Sequence, residues 1–273
     1  MLSKKDAAKY LGLEDKTFDN YFRNAKEIPF SKVGGRFKFK ESNLKEWLDS
    51  YKWRSISLNI HDYALCLDFA LAQHFRGYVL SDFGTARQRE FGQKITNWVK
   101  GQLAEVAVKK FLANNYGVDV QLDFRIYDEI VPQDIIGIKS KGSYRDPKIN
   151  IGIKASKPKS AFLILGENEV LLEERRSDVY IFCRPDIPDD HLLRITRAEV
   201  IKLVKGQPHF PAYKDQIPHF EDIPCEIAGY CWMEELIKAR KIPGQEFDGY
   251  RFVRESGLLH RNKKDWESLI KRL

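Results

Sequence analysis

The chain is poor in the residues that build the most easily recognised sites. Its four cysteines, Cys66, Cys183, Cys225 and Cys231, contain no CxxC pair within 273 residues. A disulfide framework and a structural zinc are therefore not expected, and the thiols read as reduced and mostly buried. Of six histidines, His191, His209, His219 and His260 are scattered without the spacing of metal ligands and read as loop or surface residues. No apolar run approaches the roughly 18 to 20 residues that span a bilayer. Leu2 is followed by the polar run Ser3-Lys4-Lys5-Asp6 rather than a signal-peptide core. The expectation is a cytoplasmic protein with no membrane association. There is no Walker-type glycine loop, no GxSxG elbow and no internal repeat, which removes the motif grounds for a P-loop nucleotidase, a serine hydrolase of that kind or a solenoid.

What is abundant is charge, with enough apolar residue for a core. Hydrophobic residues make up 43% and charged residues 31%, an ordinary soluble balance, and the length suits one large domain plus a small one. Lys and Arg number 46 against 39 Asp and Glu, a formal charge of +7. The cations are spread along the chain, so the surface favours a polyanionic partner.

The first fifty residues read as a small module. Ser3 is a good N-cap for a helix from Lys4 to Leu11 that Gly12 stops. Asp15 caps a second helix with Phe18, Tyr21 and Phe22 on one face and Lys16, Thr17, Asn20 and Arg23 on the other. Two short helices joined by Gly12-Leu13-Glu14 have helix-turn-helix geometry. Next, Ile28 to Phe39 reads as a hairpin with Gly34-Gly35 at its tip and Lys32, Arg36 and Lys38 on one side, and Ser42 caps a closing helix through Leu44, Trp47 and Leu48. This order resembles the winged helix-turn-helix of excisionase-like and MerR-like DNA-binding domains. It implies a domain over residues 1–54, with wing cations on phosphates and Asn20 or Arg23 at base edges.

Beyond it, Ile60 to Phe75 is a packing helix, Gly77 to Gly84 a polar break, and Thr85 opens a long helix carrying Arg87, Arg89, Lys94, Lys100 and Glu105. Strands follow over Val118–Ile126, Val131–Ile138 after an acidic turn at Asp128-Glu129, Ile149–Ala155 and Ser177–Cys183. The tail holds Pro-rich loops around Gln207 to Pro224, an amphipathic stretch Cys231–Ala239 and a short final helix. The class is α/β. Within it, Asp134 in Pro132-Gln133-Asp134 and Lys154 in Ile151-Gly152-Ile153-Lys154 fall at the ends of adjacent strands, where a carboxylate and an amine could hold a divalent metal and activate water against phosphate.

Gly101-x-x-x-Glu105 on a helix, Asp134 on a strand and Ile151-x-Ile153-Lys154-Ala155-Ser156 on the next resemble the PD-(D/E)XK nucleases, type II restriction endonucleases among them, over roughly Gly101 to Arg184. The resemblance implies a restriction-endonuclease-like core over residues 55–273, a mixed sheet flanked by helices. It also implies a Mg2+ ion held by Asp134 together with Glu167 or Glu169, with Lys154 as the catalytic lysine and Glu105, otherwise an ordinary solvated charge, assisting from the helix. Gly152 stands where the family places an acid. The carboxylate has moved, the chain is an inactive relative, or the acid has been removed in a variant. The first is preferred, because some restriction enzymes relocate this acid to a helix about thirteen residues past the lysine, where Glu167 and Glu169 stand. Their other role is that of helix N-terminal charges favoured by the dipole. The Arg-acid-Arg triplet of many relocated members is here Ser156-Lys157-Pro158-Lys159, so the recognition sequence is not readable. The expected protein is a homodimeric Mg2+-dependent endonuclease on double-stranded DNA. Its alternatives are a non-catalytic DNA-binding regulator with a nuclease-like core and a structure-specific repair or junction nuclease.

Overall fold

Ser3 opens α1 (Lys4–Leu11) by accepting the Asp6 amide, and α1 buries Ala7, Ala8 and Leu11. The computed structural model describes residues 1–76, 90–126, 134–140 and 142–273. After the Gly12 turn, α2 (Asp15–Asp19) continues as a π-helical turn over Asn20–Asn24. Asp15 is the first helical residue rather than the cap, and Glu14 before it makes no side-chain cap bond. A hairpin follows, β1 (Ser31–Val33) and β2 (Arg36–Lys38), turned by Gly34 at φ 57° and Gly35 at φ 74°, the left-handed pair a tight two-residue hairpin turn requires. Ser42 does not cap the closing helix α3 (Glu41–Trp53): Lys40 occupies that place without a side-chain bond, and Ser42 falls in the first turn. Phe18, Tyr21, Phe22, Phe39, Leu44 and Trp47 close a core of their own.

The body begins directly after α3 with β3 (Ser55–Leu58), then α4 (Ile60–Arg76) and α5 (Phe91–Tyr116). The break at Gly77 to Gly84, the helix start at Thr85 with Arg87 and Arg89, the Asp128-Glu129 turn and Pro132-Gln133 lie outside the described residues. Strands β4 (Val120–Leu122), β5 (Ile135–Ser140), β6 (Ser143–Arg145), β7 (Ile151–Ala155) and β8 (Phe162–Gly166) lead to the short helix α6 (Glu167–Leu171) and to β9 (Val179–Pro185). Three short helices, α7 (His191–Ile195), α8 (Arg197–Val204) and α9 (Phe210–Tyr213), precede β10 (Ile223–Trp232), the hairpin of β11 (Ile237–Ile242) and β12 (Gln245–Glu255), and α10 (Lys263–Ile270). The expected amphipathic stretch Cys231–Ala239 is not one element: it is the end of β10, a 3-10 turn and the start of β11.

The central sheet is mixed, in the order β3-β10-β9-β7, with β7 and β9 parallel and the other pairs antiparallel. All seven residues of β9 are buried, because the sheet is covered on both faces. Val179, Ile181 and Cys183 join Leu103, Ala107 and Phe111 of α5 in the main core. Tyr180 and Phe182 point the other way, into a smaller core with Leu163, Leu165 and Val170 under the sheet β11-β12-β8. A third sheet, β4-β5-β6, abuts β7 where the Asp134 amide donates to Ile151 O at 3.5 Å. Burying this much apolar surface is the main driving force for the body.

Candidate functional site

Lys154 is the fourth residue of β7, on the face of the sheet that Gly152 shares, because strand side chains alternate. That face looks toward α6, and Lys154 Nζ lies 2.8 Å from Glu169 Oε2. Glu169 is held there by a capping interaction in which its Oε1 accepts the Gly166 amide at 3.1 Å. Asp134 stands beside the other edge of β7, its Oδ2 accepting the Ile153 amide. Glu105 comes from α5 and is buried among Leu103, Ala104 and Val106, accepting a 2.8 Å bond from Gln102 Nε2. Helix, edge and opposite face thus bring four of the expected residues into one electrostatic neighbourhood. The fifth, Glu167, is turned away: its Oε1 is 2.7 Å from Lys238 Nζ on β11.

The charges in this group do not balance. Burial and the neighbouring Asp134 charge push the Glu105 carboxyl well above the ordinary carboxylate range, against the pull of Lys154. Desolvation also raises Asp134, with Lys154 and the Ile153 amide opposing and Glu169 adding to the rise. Burial works to discharge Lys154, but Glu169 and Asp134 outweigh it and hold the ammonium above its usual value. Burial likewise raises Glu169, and Lys154 more than reverses that, so its carboxyl sits below the ordinary range. Three carboxylates face Lys154, with Asp123 adding to the rise of Glu105 and Arg175 to the fall of Glu169, and the deficit of positive charge falls on Glu105 and Asp134.

Gly152 is not a hole left by a lost side chain. A Cβ there would stand 2.8 Å from Ser177 Oγ and 3.0 Å from Tyr180 Cδ1. Tyr180, the in-register neighbour of Gly152 across the parallel pair, is locked in that space by donating to Glu169 O at 3.0 Å and accepting the Ser177 amide at 3.1 Å. Packing therefore favours a glycine here, and the carboxylate in contact with Lys154 is that of Glu169.

Among the described residues, no three His, Cys, Asp or Glu side chains form a ready metal cage. Mg2+ does not require one, since it is usually held by one or two carboxylates together with water and substrate phosphate. The donor set here suits such an ion: two hard carboxylates, Asp134 and Glu105, each resisting ionisation partly because of a neighbouring negative charge. Beside them Gln102 Oε1 is buried with no hydrogen-bond partner.

In the N-terminal module Lys16, Arg23, Lys32 and Arg36 are exposed, and Thr17 and Lys38 are half-buried. The wing cations do not share one side. Register pairs Lys32 with Phe37, Ser31 with Lys38 and Val33 with Arg36, so Arg36 and Lys38 lie on one face and Lys32 on the other. Lys32 and Arg23 instead approach the same ring, 5.4 and 5.7 Å from the centroid of Phe37. Asn20 faces the body, donating to Lys159 O at 2.7 Å.

No local pattern announces the charged cluster between module and body. Glu27 receives Arg184 at 3.0 Å, Arg261 at 3.0 Å and the Ser256 hydroxyl at 2.6 Å. Glu226 binds Arg184 at 3.1 Å, Arg54 at 3.2 Å and the Tyr21 hydroxyl at 3.1 Å. These residues are far apart in the chain and only the fold unites them. His191 is another correction: it is buried, with Nδ1 2.5 Å from the Tyr63 hydroxyl and Nε2 2.9 Å from Thr96 Oγ1, and it ties α7 to α4 and α5.

A family model described as "Helix-turn-helix domain" matches residues 1–52. No curated protein and no solved structure matches the chain. The fold is thus a mixed α/β body behind an N-terminal helix-turn-helix domain, and no helix among the described residues is long and apolar enough to cross a membrane.

Proposed function

We propose that the protein is a Mg2+-dependent endonuclease acting on double-stranded DNA, with a restriction-endonuclease-like body and a helix-turn-helix domain that adds DNA affinity. The observation that carries this reading is the Lys154–Glu169 contact of 2.8 Å beside Asp134, whose carboxylate rests on the amide of Ile153. Magnesium, when bound by Asp134 and Glu105, supplies a more acidic water and polarises the phosphate. Lys154 is kept protonated by its two acidic neighbours, so its part is to donate to a phosphate oxygen and to offset developing charge rather than to take a proton. Glu169 orients that ammonium, and Gly166 orients Glu169. Lys16, Thr17 and Arg23 face the duplex, joined by Lys32, the wing cation that shares the Phe37 ring with Arg23, while Arg36 and Lys38 stand on the wing's other face. A homodimer would present one such site to each strand, the arrangement a sequence-specific type II restriction enzyme needs. The test is cleavage of plasmid DNA with Mg2+ by the unmodified chain and by Asp134→Ala and Lys154→Ala. Cutting by the first and not by the others is expected.

A second reading, a DNA-binding regulator without chemistry, draws on one observation: Tyr180 fills the place beside Gly152 where a further acid would stand. Binding of duplex with no cleavage under Mg2+ or Mn2+ would establish it. Preferential cutting of branched over linear DNA would instead mark a junction or repair nuclease.

A further inference from the structure

The β11–β12 hairpin is an arm that the nuclease reading leaves without a role. Between Lys238 and Arg251 it carries four cations, Lys238, Arg240, Lys241 and Arg251, against two acids, Glu246 and Asp248. Lys238, Arg240 and Lys241 are exposed, as is Tyr250 at 38%. Lys238 Nζ and Arg240 Cζ lie 4.5 and 4.4 Å from the centroid of the Tyr250 ring, which fixes two positive charges on one outward face. Register shifts between Ala239 and Lys241, and such a bulge bends a ribbon. The tip, Ile242 to Gln245, accordingly shares a cleft of about 430 Å³ with Phe162 and Ile164 of β8, Ser160, and Asn24 at the end of the second helix of the helix-turn-helix. At the other end Lys238 reaches Glu167 on α6, the helix that carries Glu169.

We infer that this arm is a second DNA-binding element, a β-ribbon that lies against the same duplex as the helix-turn-helix and bridges from it toward the Lys154 site. The inference rests on the DNA-binding part of the proposed function and not on its chemistry. Two features select duplex DNA as the partner. The cations form a two-stranded ribbon, a shape that fits a groove, and the arm's tip lines the same cleft as Asn24, the last residue of the second helix. Arg240 and Lys241 make no ion pair among the described residues, so both are available for phosphates.

The test compares binding of a labelled mixed-sequence duplex by the full chain and by the double variant Arg240→Ala/Lys241→Ala, across a salt series. Loss of two phosphate contacts should weaken binding about tenfold and flatten the slope of log affinity against log salt by about 1.8. The charge-conserving Arg240→Lys/Lys241→Arg should keep both affinity and slope. An unchanged slope in the alanine variant overturns the assignment while leaving DNA binding intact. So does aggregation with unaltered affinity of the soluble fraction, since the cations would then guard an exposed edge strand. Tighter binding of single-stranded RNA than of duplex by the unmodified chain also overturns it. Failure of the unmodified chain to bind duplex removes the underlying reading itself.

Discussion

Two groups of buried charge sit in this molecule and behave in opposite ways. At the junction of module and body, three arginines (Arg54, Arg184, Arg261) surround two glutamates (Glu27, Glu226), and burial of Glu27 is overcome so fully that its carboxyl is pushed down to about 2. At the β7 edge, three carboxylates surround one lysine, and the imbalance leaves Glu105 and Asp134 raised. The first group is satisfied by the protein's own cations. The second is short of positive charge, which is the ground for placing the proposed metal ion there. Compensation, rather than burial alone, separates a structural ion cluster from a candidate reactive one.

The comparison breaks most readily at Arg184. Arg184→Ala takes away the arginine that both buried glutamates share but leaves Arg261 on Glu27 and Arg54 on Glu226, so the loss should fall at or below the roughly 3–5 kcal/mol that removing one partner of a buried pair costs. Chemical denaturation should show that loss, while cleavage per folded molecule at the Lys154 site on the neighbouring strand stays near normal. An equal loss on Glu105→Ala would erase the distinction. Acid should act on the same cluster in a defined window. Glu27 has its folded value depressed from 4.5 to about 2, so its stabilisation is complete above pH 4.5 and drains away as pH falls toward 2. Unfolding free energy measured from pH 5 to pH 2 in the unmodified chain should fall more steeply than in Glu27→Gln.

Lys154 is the counterpart at the other group. Lys154→Met should lower Mg2+-dependent cleavage by about 10²–10³-fold, the cost of losing one preorganised donor to a developing anion. Folding should change little, because Glu169 keeps the Gly166 amide as a partner. A variant that still cuts at the original rate would move the chemistry elsewhere.

Local patterns made the helix-turn-helix legible: Ser3, Gly12 and the Gly34-Gly35 tip are signals carried by neighbouring residues. The resemblance around Glu105, Asp134 and Lys154 was likewise carried by short motifs. Choosing Glu169 over Glu167 needed coordinates, because a two-residue step on the single turn α6 decides between facing Lys154 and facing Lys238. The clusters built from Glu27, Arg184, Glu226 and Arg261 were illegible for the opposite reason. Their members are separated by as much as the whole body, and a lone Arg in a strand pattern reads as a solvated charge. The same holds for β10, whose run Cys225-Glu226-Ile227 hides a central strand behind a buried Glu paired with Arg54 and Arg184. Gly152 is a sharper case, since its meaning depends on Tyr180 opposite. Gly152→Asp, which places an acid two residues before Lys154, should destabilise the fold by about 1–3 kcal/mol through overpacking and should not raise cleavage. Thermal unfolding with a parallel plasmid assay reads both, and a stable, faster variant would mean the glycine had replaced a working acid.

The smallest expected effect on the bare protein is the most discriminating between the two groups. Glu105→Gln removes a carboxyl whose ionisation burial and Asp134 oppose, keeps its shape and leaves Gln102 a partner. A group with a raised folded value stabilises fully below its unfolded value and loses that contribution as pH rises through the folded one, so at neutral pH the substitution should be neutral or stabilising by less than about 1 kcal/mol. With Mg2+ the order should reverse. A ligand that binds only the folded state at a concentration of about 100 times its dissociation constant adds about 2.7 kcal/mol, so the unmodified chain should gain thermal stability from Mg2+ while Glu105→Gln gains much less. Arg184→Met, at the compensated cluster, should respond to Mg2+ as the unmodified chain does. Melting curves of the three proteins with and without the ion measure this, and equal shifts in all three would mean that the surplus of carboxylate at the β7 edge does not attract a cation.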